Sequence, residues 1–412
     1  MRLSSLVALV LLGRALAFSV SRCRHRSGVS SNFYFPACLR QLQQSKSLRK
    51  MADQSTIPAE QRTLTLVNGI RDVVDDYDVF LLDMWGVMHD GFNAYDGVIE
   101  CVQKLHESGK RMIILSNSSQ RTDKSIKNLE GLGFQPKKDF EQIITSGQVS
   151  FLLLSDATDE ELGGCQRWDV LTKILSKNKK SGSDNKIFVL GAEEARDVPY
   201  VQACGFEFAP IEEADLILAC GTFSVNDGTG EINKRKDPQA YENALSEALE
   251  SGAARGLPMI VSNPDKIRPD YERPPMPGRI GDMYEQALMK NGISRDDAEA
   301  MVKRIGKPFR DVYDVALKSN VGGGKVDKSR VCMVGDALET DIVGGSTAGI
   351  DTIWVLKNGV YMPELEEAAA NGKTLLGAAT SILDDFNANK ESTYGKGKPD
   401  QLPTVAMACF RW

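Results

Sequence analysis

Histidine is scarce in this sequence: His25, His89 and His106 are the only three in 412 residues, too dispersed for a histidine-based metal site. The eight cysteines form no C-x-x-C pair, which argues against a zinc site or a disulfide framework. Beyond the N-terminal segment, no apolar run is long enough to span a bilayer. Acidic residues are missing from the first fifty positions, which carry nine Lys or Arg. Without that segment the charge balance of residues 51–412 is 41 minus 56, or −15. A nucleic-acid partner is therefore excluded, because binding a phosphate backbone needs a net basic face.

The acid-free segment 1–50 reads as a targeting peptide. A short apolar stretch, Leu6 to Leu12, precedes the small-residue pattern "ALAF", and the Ser- and Arg-rich "SVSRCRHRSGVSSNFYF" follows. Signal and transit-like tail together resemble bipartite plastid signals, which predicts a plastid location. A plain secretory signal, or a cytoplasmic protein starting at Met51, are the alternatives. The mature protein is expected off the membrane.

Seven short apolar runs alternate with helical patterns: "VFLLD" (79–83), "RMIILS" (111–116), "KIFVLG" (186–191), "ADLILACG" (214–221), "PMIVS" (258–262), "RVCMVGD" (330–336) and "TIWVL" (352–356). They predict a doubly wound, Rossmann-like α/β fold with a parallel sheet. Helices are expected over Gly97 to Glu107 and Gly281 to Lys290. Polar or Pro-rich punctuation at 177–186, 224–239 and 264–280 marks two surface loops and a return linker, with "TSGQ" (145–148) as the outgoing one. The expected division is an α/β domain at 150–265 inserted into a discontinuous core of 60–145 and 270–412.

Three apolar runs end in a small polar residue: Asp83, Ser116 and Asp336. Carboxyl ends of parallel strands line one crevice at a topological switch point, so these groups are predicted to meet. Carboxylates brought together need a cation between them. A hard divalent ion such as Mg2+ suits oxygen ligands and a substrate phosphate. Lys307, ahead of a proline suited to a helix start, is placed to neutralise an anionic intermediate. Asp336 and Asp341 share the loop "VGDALETDIVGG". Each has a plainer reading: Asp83 caps a turn, Ser116 and Asn117 are turn or N-cap residues, Lys307 is solvated, and Asp336 and Asp341 cap a helix. His89 and Asp90 are read as turn residues.

In order, "LLDMWGV", "ILSNSSQR", "IGKPFRDVY" and "GDALETDIVGG" resemble the four motifs of the haloacid dehalogenase superfamily, and "GKP", "SNPD" and the long insertion resemble its subclass IIA. That resemblance implies a Mg2+-dependent phosphate-monoester hydrolase with an inserted cap domain, acting on a small phosphorylated metabolite. Asp83 would attack phosphorus to form an aspartyl-phosphate. Asp83, the Trp85 backbone carbonyl, Asp336 and Asp341 would hold the metal, while Ser116, Asn117 and Lys307 would bind phosphate. The departure is Trp85, where such phosphatases place a second Asp to shuttle protons; its loss costs typically ~10²–10⁴-fold. The competing reading is a phospho-ligand-binding or regulatory protein with little turnover, and a weaker one is a metal-independent dehalogenase. Self-association is left open.

Overall fold

The computed structural model describes residues 63–155, 157–268, 273–318, 326–389 and 401–412. The targeting segment lies outside them. The main sheet has seven strands in the order Leu66–Val67, Val405–Met407, Asp351–Val355, Val331–Gly335, Val79–Leu82, Arg111–Ser116, Gln142–Thr145. Every pairing is parallel. The chain runs outward from Val79–Leu82 in one direction, then returns to its other side, and this reversal creates the crevice expected of a doubly wound sheet.

Central strands of such a sheet are covered on both faces and are apolar throughout. Val79–Leu82 is buried at all four positions. Val79 and Leu81 join Ile113, Leu115 and Met333 in one core layer. Phe80 and Leu82 join Ile114, Val334 and Ile353 in the other, as a two-residue side-chain period requires. The helix Val98–Glu107 covers the second layer with Val98, Cys101, Val102 and Leu105.

A second sheet is built from residues 185–304. Strands Val302–Arg304, Met259–Val261, Leu216–Ala219, Asn185–Gly191 and Phe206–Phe208 pair in parallel. Ser224–Asn226 and Glu231–Asn233 extend the sheet antiparallel.

Several expected boundaries move. "TSGQ" is no outgoing linker: Thr145 ends a strand and caps the buried helix Ser146–Leu154 by accepting from the Gln148 N–H at 3.0 Å. The return to the main sheet also comes later than residue 270. Helix Pro277–Lys290 buries Ile280, Tyr284 and Leu288 against Met259 and Val261, and Val302–Arg304 is an edge strand of the second sheet. The Pro-rich stretch 264–280 thus ends in a helix start, not in a domain boundary. The stretch 224–239 contains a strand pair, and Lys177, Lys179 and Lys180 ride on the helix Asp169–Ser181. Among the described residues no helix is long and apolar enough to cross a membrane.

Candidate active site

Asp83, Ser116 and Asp336 sit at the carboxyl ends of three adjacent strands, and register explains their meeting: Leu82 lies beside both Val334 and Ile114. The Asp83 N–H continues the ladder by donating to the Val334 carbonyl at 3.0 Å. Oxygen atoms of Asp83, Asp336 and Asp341 come within 4.8 Å of one another.

Lys307 enters from the loop after the second sheet. Its Nζ lies 2.6 Å from Asp83 Oδ1 and 2.7 Å from Asp341 Oδ1, with its side chain only 2% exposed. Burial works against the ammonium charge, but the Asp341 and Asp83 carboxylates outweigh it and hold its pKa above the ordinary lysine range. Gly306, with φ +133°, lets the loop pass: a Cβ there would stand 2.4 Å from Ser146 Oγ and 2.6 Å from Asn117 Oδ1.

Asn117 clamps this loop. Its Oδ1 accepts from the Lys307 N–H at 2.6 Å, while Nδ2 donates to the Lys307 carbonyl at 2.9 Å and to Asp265 Oδ1 at 2.8 Å. The Ser146 hydroxyl adds a contact to Oδ1 at 3.4 Å. With donors and acceptor engaged in this way, the amide holds Lys307 in position and has no capacity left for a phosphate oxygen. Ser116 Oγ accepts from the Ser118 N–H at 3.2 Å and keeps its own hydroxyl proton to donate.

Asp336 Oδ2 accepts from the Val360 N–H at 2.8 Å, the one hydrogen bond to this carboxylate among the described residues. Burial first, then the charges of Asp83 and Asp341, push its pKa well above the carboxylate range. Burial raises Asp341 to about 6 against the pull of Lys307. Asp341 Oδ2 also accepts from the Ala337 N–H at 3.1 Å, so the capping role and the cluster role coexist in one residue. Gly86, at φ +82°, brings the Asp83 loop against Asp336: an added Cβ would meet the carboxyl carbon at 2.4 Å.

One ammonium does not balance three crowded carboxylates, two of them buried. An all-oxygen set this compact, in which the lysine pairs with Asp83 and Asp341 but not with Asp336, fits a hard divalent cation.

Asp83, Ser116, Lys307 and Asp336 line a cavity of about 810 Å³ together with Trp85, His89, Arg196 and Asp265. Trp85 is half-buried, its ring edge-on to His89 with centroids 6.0 Å apart. Burial lowers the His89 pKa, partly countered by Asp83 and Asp90. Asp90 is a turn residue as expected, accepting from the Phe92 and Asn93 N–H groups.

Two cavity residues are missed by sequence reasoning. Asp265, within the "SNPD" that resembles subclass IIA, braces Asn117, and burial raises its pKa to about 7. Arg196, from the helix Glu194–Ala203 beside the second sheet, donates to Ser119 Oγ at 3.3 Å and is held by Asp197 and the Cys220 carbonyl. No motif surrounds it.

The fold and site together define a doubly wound α/β hydrolase core whose acidic strand ends and buried lysine face an inserted α/β layer. A model described as haloacid dehalogenase-like hydrolase matches residues 80–207, and a second, HAD-hydrolase-like, matches 304–385. The chain belongs to the haloacid dehalogenase-like hydrolases. It is 26% identical over 375 residues to phosphoglycolate phosphatase 1A, chloroplastic, of Arabidopsis thaliana, covering 89% of this chain and 91% of that protein. It is 27% identical over 304 residues to chronophin of Bos taurus, covering 73% and 87% respectively. A haloacid dehalogenase-like hydrolase structure from Brucella suis 1330 shares the fold with a TM-score of 0.53 at 23% identity, covering 73% of this chain and 92% of that one.

Proposed function

We propose that the protein is a Mg2+-dependent phosphate-monoester hydrolase acting on a small phosphorylated metabolite through an aspartyl-phosphate on Asp83. The observation that carries this reading is Lys307 Nζ held 2.6 Å from Asp83 and 2.7 Å from Asp341, with Asp336 in the same cluster. The ammonium faces Asp83, whose charged carboxylate is the form that attacks. Asp83, Asp336 and Asp341 would hold Mg2+, with the Trp85 carbonyl as a further ligand. When bound, the ion neutralises phosphate oxygens and orients them for in-line displacement. Ser116 and Lys307 would meet the oxygens where charge builds up. Asn117 supports the site by fixing Lys307.

Relatives named as phosphatases act on different substrates by their names: phosphoglycolate phosphatase, acid sugar phosphatase and glycerol-3-phosphate phosphatase. They support the substrate class. They also weigh against a non-hydrolytic phospho-ligand binder. A plastid location is supported by the acid-free N-terminal segment and by the "chloroplastic" name of the Arabidopsis relative.

The test is hydrolysis of p-nitrophenyl phosphate with Mg2+ and with EDTA. Because the indole of Trp85 has no basic nitrogen, no base sits at that position to help water attack the aspartyl-phosphate. The second step is then slow, and rapid mixing is expected to show a burst of p-nitrophenol close to one per site. A rate indifferent to EDTA would refute the metal-dependent reading.

Replacing Trp85 by aspartate tests the missing proton shuttle. The kcat/KM for an alkyl phosphate, which reads leaving-group departure, is expected to rise about 10-fold or more relative to that for p-nitrophenyl phosphate, whose leaving group needs little protonation. The half-buried indole makes this exchange tolerable for the loop. An unchanged ratio of the two rates in folded protein would show that position 85 plays no part in proton transfer.

A further inference from the structure

With Trp85 in the second motif position, the leaving oxygen needs help from another group, and the loop itself presents one. Residues 83–91 fold back so that Gly86 N–H donates to the His89 carbonyl at 3.3 Å and His89 N–H donates to the Met84 carbonyl at 3.2 Å. This brings the imidazole, 8% exposed, to the wall of the cavity that Asp83, Ser116 and Lys307 also line.

The ring's protonation pattern follows from geometry. The Gly91 N–H donates to His89 Nδ1 at 2.9 Å, so Nδ1 must be the bare, accepting nitrogen. A neutral imidazole then carries its hydrogen on Nε2. No atom among the described residues accepts that hydrogen, Nε2 is not wholly buried, and the residue lines the cavity. A buried imidazole with one nitrogen fixed and the other without a protein partner, on the wall of the cavity that the nucleophile also lines, is a prepared hydrogen-bond donor.

We infer that His89, through Nε2–H, donates a hydrogen bond to the ester oxygen of the substrate as the phosphorus–oxygen bond breaks, in place of the acid that Trp85 replaces. The inference rests on the phosphomonoesterase reading. In the first step an Asp83 oxygen forms a bond to phosphorus, and the electron pair of the breaking bond goes to the ester oxygen. The His89 donor stabilises that charge without giving up its proton. Water supplies the proton that converts the leaving alkoxide to alcohol. The hydroxide so formed is the equivalent consumed when the aspartyl-phosphate is cleaved, so the sum is ordinary hydrolysis. A fixed donor aimed at developing charge is worth roughly 10²–10³-fold, and it helps alkoxides far more than the stable p-nitrophenolate.

Two substitutions separate the nitrogens. His89→Asn keeps an acceptor near Nδ1 for the Gly91 N–H but removes the Nε2 donor, whereas His89→Gln keeps a donor near Nε2. In the full protein with Mg2+, H89N is expected to lower kcat/KM, which reads the first bond cleavage and not the slow second step, about 10²-fold more for an alkyl phosphate than for p-nitrophenyl phosphate, with H89Q recovering most of that selective loss. Inhibition by inorganic phosphate, which has no leaving group, should stay the same in both. Equal losses on both esters, or the same ratio in H89N as in wild type, would overturn the inference. Nitrogen NMR of the wild-type protein gives a check that needs no variant: the Nε2–H tautomer is expected, and an Nδ1–H tautomer would overturn it. Absence of any phosphomonoester hydrolysis by wild type would instead remove the functional reading itself, and the His89 role with it.

Discussion

Substituting Asp83 by asparagine is expected to stop turnover of p-nitrophenyl phosphate, lowering kcat by at least about 10⁴-fold, the scale seen when a covalent nucleophile is removed. The amide matches the carboxylate in shape, so the strand end and the hydrogen bond from Asp83 N–H to the Val334 carbonyl persist. What disappears is the charge that makes the oxygen nucleophilic. Lys307 keeps Asp341 as a partner at 2.7 Å, and the acidic cluster loses one of three like charges. Folding should therefore be unharmed, and thermal unfolding in the absence of metal should occur no lower than in wild type. Activity within 10-fold of wild type would rule out Asp83 as the attacking group. Loss of activity together with loss of folding would point to a structural role alone.

Lys307→Met is the second large effect, and it is read in stability as well as rate. The ammonium lies buried between Asp83 and Asp341. Methionine fills most of the aliphatic volume but strands two carboxylates, Asp341 fully buried and Asp83 largely so. Breaking a buried ion pair from one side costs about 3–5 kcal/mol, because the surviving charge has no compensation. The catalytic loss should be roughly 10²–10³-fold, since a cation aimed at the phosphate oxygens is gone. Mg2+ offers a discriminating measurement. An ion held by the same carboxylates replaces part of the missing positive charge, so added Mg2+ should raise the melting temperature of the Lys307→Met protein more than that of wild type. Unchanged melting temperatures without metal would show that the ion pairs contribute nothing, and equal Mg2+ responses would separate the lysine from the metal cluster.

Both residues stand out in the linear chain, and the reason is local. Asp83 ends a run, Val79 to Leu82, that is too apolar to stand anywhere but a buried strand, and a carboxylate placed there is costly unless it works. Lys307 is framed by Gly306 and Pro308, whose backbone demands mark a shaped loop. Asp336 and Asp341 are legible by the same logic, at a strand end followed by a helical turn. Apolar runs and their terminal polar residues are short-range patterns, and so the α/β class, the parallel sheet and the acidic crevice follow from the sequence.

Other features depend on which distant segments meet, which no local pattern records. The amide of Asn117 reads as a phosphate contact by position, yet the approach of the Lys307 backbone and Asp265, 190 and 148 residues away along the chain, engages it entirely. Helix Pro277–Lys290 is amphipathic in the sequence, but only packing shows that its apolar face belongs to the second sheet. His89 looks like one more turn residue. Its tautomer, its free donor and its place on the cavity wall that Asp83 also lines exist because the loop folds back on Gly91. Linear order specifies the strands, the acids at their ends and the succession of motifs, because burial and backbone preference act on neighbouring residues. Packing in three dimensions selects which carboxylates share the lysine, which polar groups are taken up in bracing it, and which donor is left to face the substrate, because those outcomes turn on contacts across the whole chain.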